Sequence, residues 1–285
     1  MDNKLPESPE SEEYRRPSLV ARAGGRAQRL RTIPVRRLVP NALTLLALCA
    51  GLTSVRLGLE GRFETAVAAL MLAAILDALD GGIARLLRGT SRFGAELDSL
   101  VDFVNFGVVP VFLLYLWGLN DLGAFGWIAV LIYSICGALR LARFNTMLEG
   151  PPVPLWQRNF FVGVPAPGGA GLVLVPLYIS FLTDTANDPV PFAVPLFVGF
   201  YVVAIGLLMV SRWPSFSLKH VAVQIPREYA LPALVLVAAL GAFLLNYPWA
   251  TTLAIAAVYA ASLPISLWRY RVLSKRYAVT SIEEA

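Results

Sequence analysis

Apolar runs about as long as a membrane crossing dominate this chain and leave it few ways to fold. Leu-, Ala- and Val-rich stretches lie at about 41–59, 63–86, 95–118, 124–144, 162–183, 191–211, 229–246 and 249–268. A helix needs roughly 20 apolar residues to cross a bilayer. Hydrophobic residues make up 57% and charged residues 15% of the 285 positions, against about 45–50% and about 25% in soluble domains. The expected fold class is therefore all-α integral membrane, with about eight transmembrane helices. Pro110 and Pro176 fall inside spans, which membrane helices tolerate because neighbouring groups satisfy the freed backbone. Cys49 and Cys136 both lie in apolar spans, which argues against a disulfide framework.

Charge supplies the topology. Residues 1–30 carry Glu7, Glu10, Glu12 and Glu13, then Arg15, Arg16, Arg22, Arg26 and Arg29, with no apolar period. That composition predicts a disordered tail, and its polar, acidic start is not that of a signal peptide. Residues 31–40 mix Ile, Val and Leu with arginine, as a juxtamembrane interfacial segment does. If the N-terminus is cytoplasmic, every lysine and arginine except Arg56 and Arg62 falls on the cytoplasmic side. The outer loops then hold Asp121, Asp184 and Asp188. The positive-inside rule thus favours an even number of helices with both termini cytoplasmic. The sequence pI of 9.4 reports topology and contact with anionic membrane lipids, with no nucleic acid partner expected.

Against this background, four aspartates in and beside the second and third spans stand out. Asp77, Asp80, Gly81 and Ala84 share one helical stripe; Gly94, Asp98, Asp102 and Asn105 share another, by the three- and four-residue spacing of helix neighbours. Two antiparallel helices joined by the turn Arg88-Gly-Thr-Ser-Arg92 would gather all four carboxylates at one depth near the cytoplasmic surface. An aspartate at mid-membrane costs at least about 2.5–3.5 kcal/mol, and four together repel. Hard divalent cations remove both problems, and an all-oxygen site suits Mg2+, Mn2+ or Ca2+. Two such ions among carboxylates form a device for phosphoryl transfer, with one carboxylate left to accept a proton from an attacking hydroxyl. The bland alternative is a set of water-lined or salt-bridged acids along an ion path.

The full pattern is Asp77-x2-Asp80-Gly81-x2-Ala84-Arg85-x8-Gly94-x3-Asp98-x3-Asp102. It resembles the signature of the CDP-alcohol phosphatidyltransferase family at every fixed position. The resemblance implies a six-helix catalytic core, which the apolar spans put at residues 41–211; the spans and charges add a cytoplasmic loop at 212–228, two additional helices over 229–270 and a cytoplasmic tail at 271–285. It implies two divalent cations, Mg2+ or Mn2+, held by Asp77, Asp80, Asp98 and Asp102, with Asp102 also the general base. Gly81, Ala84, Arg85 and Gly94 would form the CDP cradle. A homodimer is a further family expectation.

Flanking stretches resemble the bacterial members of membrane type that take serine as the acceptor alcohol. These are Pro40-Asn41-Ala-Leu-Thr44, the run from Gly89 to Val108, Leu139-Arg140-Leu-Ala-Arg143-Phe144-Asn145, Phe161 to Pro167, and Met209 to Lys219. Those relatives often carry Arg at the position of Gly82 and Ser at that of Asn105, which lies on the inferred site face. The expected substrates are CDP-diacylglycerol and L-serine, in a bacterial inner membrane with the site cytoplasmic.

Arg140 and Arg143 are one turn apart, and a guanidinium fork suits a carboxylate or phosphate. They are candidates for serine or lipid-phosphate binding, with snorkelling at a helix end as the alternative. Asn41 and Thr44 are candidates for hydrogen bonds to the cytosine or pyrophosphate, or else an N-cap and helix packing. His220 reads as surface and Glu96 as structural. Trp117, Trp127, Trp213, Trp249 and Trp268 read as interface belts. Rival functions are the same chemistry on glycerol phosphate, inositol, inositol phosphate or choline, and a divalent cation transporter.

Overall fold

The computed structural model describes residues 35–87, 91–148, 160–186, 191, 193–216 and 227–283. The N-terminal tail, residues 31–34, Arg88 to Thr90, Arg158, Lys219 and His220 lie outside the described residues. Within them run α1 (Val35–Leu59), α2 (Phe63–Leu86), α3 (Arg92–Asp102), a π-helical segment (Phe103–Val108), α4 (Val109–Trp117) and a 3-10 turn (Leu119–Leu122). Then come α5 (Ala124–Leu148), β1 (Phe160–Val162), α6 (Ala166–Val173), α7 (Val175–Leu182), α8 (Ala193–Val210), β2 (Pro214–Phe216), α9 (Arg227–Asn246) and α10 (Pro248–Glu283).

Among the described residues, six segments are long and apolar enough to cross a membrane: Leu38–Leu59, Phe63–Leu86, Arg92–Trp117, Ala124–Met147, Ala193–Val210 and Pro248–Ser274. This is an all-α membrane protein. Two shorter apolar helical stretches, Ala166–Leu182 and Leu231–Asn246, fall where the fifth and seventh spans were expected. Residues 35–40 are continuous with the first span, because α1 passes through Pro40 without a break. Likewise α10 continues past the eighth span as one helix to Glu283.

The prolines explain where helices deform. Proline lacks an N–H and its ring presses on the carbonyl four residues back. Pro110 stands four residues after Phe106, and the chain there is π-helical. The orphaned Phe106 carbonyl accepts a hydrogen bond from the Tyr133 hydroxyl of α5 at 3.1 Å. Pro176 stands four residues after Leu172, and the expected single fifth helix is split at Leu174 into α6 and α7. The Leu172 carbonyl accepts from the Tyr201 hydroxyl of α8 at 2.7 Å. At each proline a tyrosine from a neighbouring helix thus supplies a donor to the carbonyl four residues back, as a low-dielectric interior requires.

The core lies between α5 and α8, where the two helices pack most extensively. Tyr133, Val202 and Met209 are fully buried there. Gly206 permits the approach: a Cβ on it would lie 3.1 Å from the Tyr133 Cα, the close contact that small residues allow in membranes. By contrast α9 leaves Leu234, Val235, Leu236 and Val237 exposed, an apolar exterior suited to a lipid surround.

A short antiparallel ribbon interrupts the helices. Phe160, Phe161 and Val162 pair with Phe216, Ser215 and Pro214. Gly163 follows in the left-handed region at φ +80°, and a Cβ there would lie 2.4 Å from the Met209 carbonyl oxygen. Arg56 in the last turn of α1 and Arg62 just before α2 are the two bases expected on the far side. Both pair with Glu60, at 3.1 and 3.5 Å; they are exposed and add little stability.

Candidate active site

Three helices build a cavity of about 190 Å³. Pro40, Asn41 and Thr44 come from α1, while Asp80, Gly81, Ala84 and Arg85 come from α2. Ser91, Gly94, Ala95 and Asp98 come from the start of α3. All six residues expected to cradle CDP therefore line one space. Ser91 caps α3: its Oγ accepts a hydrogen bond from the Gly94 N–H at 3.0 Å, so the positive end of that helix opens on the cavity. Ser91 and Ala95 were not among the expected site residues. A serine three residues before Gly94 is the N-cap signal that marks this helix start.

The glycines do different work. A Cβ on Gly94 would lie 2.8 Å from the Asn41 Oδ1, so this glycine admits a protein side chain. A Cβ on Gly81 would find nothing closer than the Arg85 Nη1 at 3.7 Å. No described protein atom therefore requires glycine at position 81; the space it leaves belongs to the cavity.

The four aspartates do not form a single knot. Carboxylate oxygens of Asp77, Asp98 and Asp102 lie within 4.8 Å of one another. Asp80 is buried and accepts a hydrogen bond from the Thr44 hydroxyl at 2.5 Å, on the cavity side. Asp98 belongs to both groups: it is one of the clustered acids and part of the cavity wall. One Asp77 oxygen is buried without a hydrogen-bond partner. Among the described residues no lysine or arginine forms an ion pair with any of the four; the ion pairs found there are those of Glu60. Uncompensated, closely set carboxylate oxygens with an orphaned acceptor fit a divalent cation.

The other expected residues sit further out. Arg140 is buried and donates from Nε to the Val164 carbonyl. It lies within electrostatic reach of Asp102. Arg143 donates from Nη1 to the Val210 carbonyl at 2.7 Å, satisfying the last residue of α8. Each guanidinium thus ties α5 to the backbone of a neighbouring element. Asn105 is fully buried and turned toward α1. Its Nδ2 donates to the Ala47 carbonyl at 3.3 Å, and its Oδ1 occupies the space a Gly51 side chain would need. Asn105 lies on the stripe of Asp98 and Asp102 by spacing, but it falls in the π-helical segment that begins at Phe103, where each residue turns through a smaller angle than in an α-helix. This residue packs α1 and is not part of the cavity wall.

Residues 37–212 match the family model described as CDP-alcohol phosphatidyltransferase, and residues 228–264 match a second, CDP-alcohol phosphatidyltransferase 2. The second match extends the likeness into α9 and α10, beyond the motifs read from sequence. A protein of Mycobacterium leprae is 38% identical over 240 residues, covering 84% of this chain and 77% of its own length. One of Mycobacterium tuberculosis is 36% identical over 243 residues, covering 84% and 81%. One of Bacillus subtilis is 35% identical over 186 residues, covering 65% and 93%. All three bear the name CDP-diacylglycerol–serine O-phosphatidyltransferase. With the acid cluster set against a cradle of small residues, and the family model spanning the helices that carry both, this chain belongs to the CDP-alcohol phosphatidyltransferase family.

Proposed function

We propose that this protein transfers the phosphatidyl group of CDP-diacylglycerol to the hydroxyl of L-serine, releasing CMP. The observation that carries the chemistry is Asp98, shared between the wall of the cavity and the three-carboxylate cluster. It sets the place for a nucleotide directly beside the place for charge. Serine as acceptor rests on the names of the relatives at 35–38% identity.

In this reading the CDP group lies against Gly81, Ala84 and Gly94, with Arg85 and the N-terminus of α3 toward the phosphates. Asn41 and Thr44 meet the nucleotide from α1, and the Thr44 bond to Asp80 orients that carboxylate. Asp77, Asp80, Asp98 and Asp102 would hold two Mg2+ or Mn2+ ions. Bound there, such ions neutralise the acids and stabilise charge on the leaving phosphate. Asp102 takes the proton of the serine hydroxyl, whose oxygen attacks the lipid-side phosphorus as CMP departs. Arg140 is our candidate to hold the acceptor; it is buried and, among the described residues, forms no ion pair. The basic residues flanking the spans support an orientation with both termini and the site cytoplasmic, and the bacterial relatives support a bacterial plasma-membrane location. A homodimer is the assembly we expect, and cross-linking in native membranes reads it.

The test is to give the purified protein labelled CDP-diacylglycerol and, separately, serine, glycerol phosphate, inositol, inositol phosphate or choline. CMP release and a labelled phosphatidylserine with serine alone supports the reading; transfer to another alcohol and not to serine overturns the acceptor.

A further inference from the structure

The helix that carries Asp98 and Asp102 is held by little apolar packing. Val101 is the one buried residue of α3, while Phe93 and Leu100 are exposed. Apart from the π-helical segment it runs into, α3 packs sparsely on the rest of the fold. A helix with so narrow a buried stripe has no strong preference for one rotation about its axis. Asp98, however, must face two ways, into the cavity wall and into the carboxylate cluster. At its start α3 is met by Asn41, whose Oδ1 lies where a Gly94 side chain would be. Nearer the acids the contact is a hydrogen bond. Ser99 directly follows Asp98, and consecutive helical residues stand about 100° apart round the axis. The Ser99 Oγ accepts from the Asn145 Nδ2 at 3.1 Å, close to the end of α5. Among the described residues this is the one hydrogen-bonded pair that joins α3 to α5. Both side chains are partly buried, and neither lines the cavity or belongs to the cluster.

We propose that Asn145 is a positioning residue for the metal-binding acids: through its hydrogen bond to Ser99 it sets the rotation of α3, and so where Asp98 and Asp102 meet Asp77. The assignment rests on the functional reading above, in which those acids hold divalent ions. Groups that share a site must be held to within about 0.5 Å and about 10–20°, so a small turn of a sparsely packed helix is enough to weaken binding.

The experiment is a double-mutant cycle of Asn145→Ala and Ser99→Ala in the full-length protein in detergent. The Kd for Mn2+ is read from the free-ion signal in electron paramagnetic resonance, and thermal unfolding is recorded in chelator. Each single variant should raise the Mn2+ Kd about fivefold, equal to about 1 kcal/mol, which is within the range of one interhelical hydrogen bond. The double variant should raise it no further than the larger single effect, because both substitutions remove the same bond. A Mn2+ Kd within twofold of wild type in both single variants overturns the assignment, even with lowered melting temperatures, since the bond then only fastens two helices. Effects that add in the double variant overturn it too. Should Asn145→Ala fail to fold, Ser99→Ala alone carries the test at the same threshold. If the wild-type protein binds no Mn2+, the reading of the acids as a metal site itself fails, and this assignment with it.

Discussion

Substituting Gly81 by alanine separates what the fold needs from what the ligand needs. The position is helical, within α2, and glycine in a helix interior costs about 0.5–1 kcal/mol relative to alanine. The new Cβ would meet nothing nearer than the Arg85 Nη1 at 3.7 Å, an ordinary contact. The substitution should therefore leave stability unchanged or raise it by up to about 1 kcal/mol. The methyl group would, however, project at the cavity that Gly81 lines. Crowding a fitted ligand by one methyl costs about 1–3 kcal/mol, which is roughly 5- to 150-fold in affinity. The expected outcome is a higher KM for CDP-diacylglycerol with no loss of melting temperature. Two controls bracket it. A Cβ on Gly82 meets nothing within 4 Å and Gly82 is not on the cavity wall, so Gly82→Ala should keep near wild-type activity. Gly94→Ala places its Cβ 2.8 Å from the Asn41 Oδ1 and 3.1 Å from the Ser91 Oγ, so it should lower stability and activity together. The reasoning is refuted if Gly81→Ala binds CDP-diacylglycerol as wild type does, or if it loses activity only because it unfolds.

Asp102→Asn should cut turnover by about 10²–10⁴-fold, the usual worth of a positioned base, while labelled CDP-diacylglycerol still binds in a filtration assay; near-normal turnover would remove Asp102 from that role. Chelation should abolish CMP release and lower the melting temperature, because the clustered carboxylates of Asp77, Asp98 and Asp102 then repel without compensation. Mg2+ or Mn2+ should restore both, and full activity in chelator would refute metal binding there. Tyr133→Phe and Tyr201→Phe each strand a carbonyl freed by a proline, and each should cost about 0.6–1.7 kcal/mol in detergent unfolding. No change in either would mean that another donor serves those carbonyls.

The spans were legible because lipid imposes a length and a hydropathy that any window of the chain reports. The acidic stripe was legible because three- and four-residue spacing puts Asp77 with Asp80, and Asp98 with Asp102, on single helix faces. Helix spacing also put Asn105 on the stripe of Asp102, and there it misled. The π-helical segment between them is set by Pro110 and by a tyrosine on another helix, and no local pattern reports that tyrosine. The split of the fifth span at Leu174 has the same character: Pro176 is visible, but whether it kinks or divides a helix depends on Tyr201 reaching the Leu172 carbonyl. Arg140 and Arg143 were visible as a pair one turn apart. That each ties down a backbone carbonyl depends on where the segment at Val164 and α8 come to rest.

By itself, then, the chain's order of residues determined that this is a helical membrane protein, which two helices carry the acids, and which small residues stand beside them. Those properties follow from local periodicity and from the cost of placing charge in hydrocarbon, both of which act within a few turns of helix. Only tertiary structure decided that Asp80 turns to Thr44 and the cavity while Asp77, Asp98 and Asp102 converge, and that the Tyr259 ring arrives from the far end of the chain to pack on Gly168. Those arrangements depend on how each helix is rotated and how closely its neighbours approach. Rotation and approach are set by contacts between residues distant in sequence, such as Gly206 against Tyr133 and Gly168 against Tyr259.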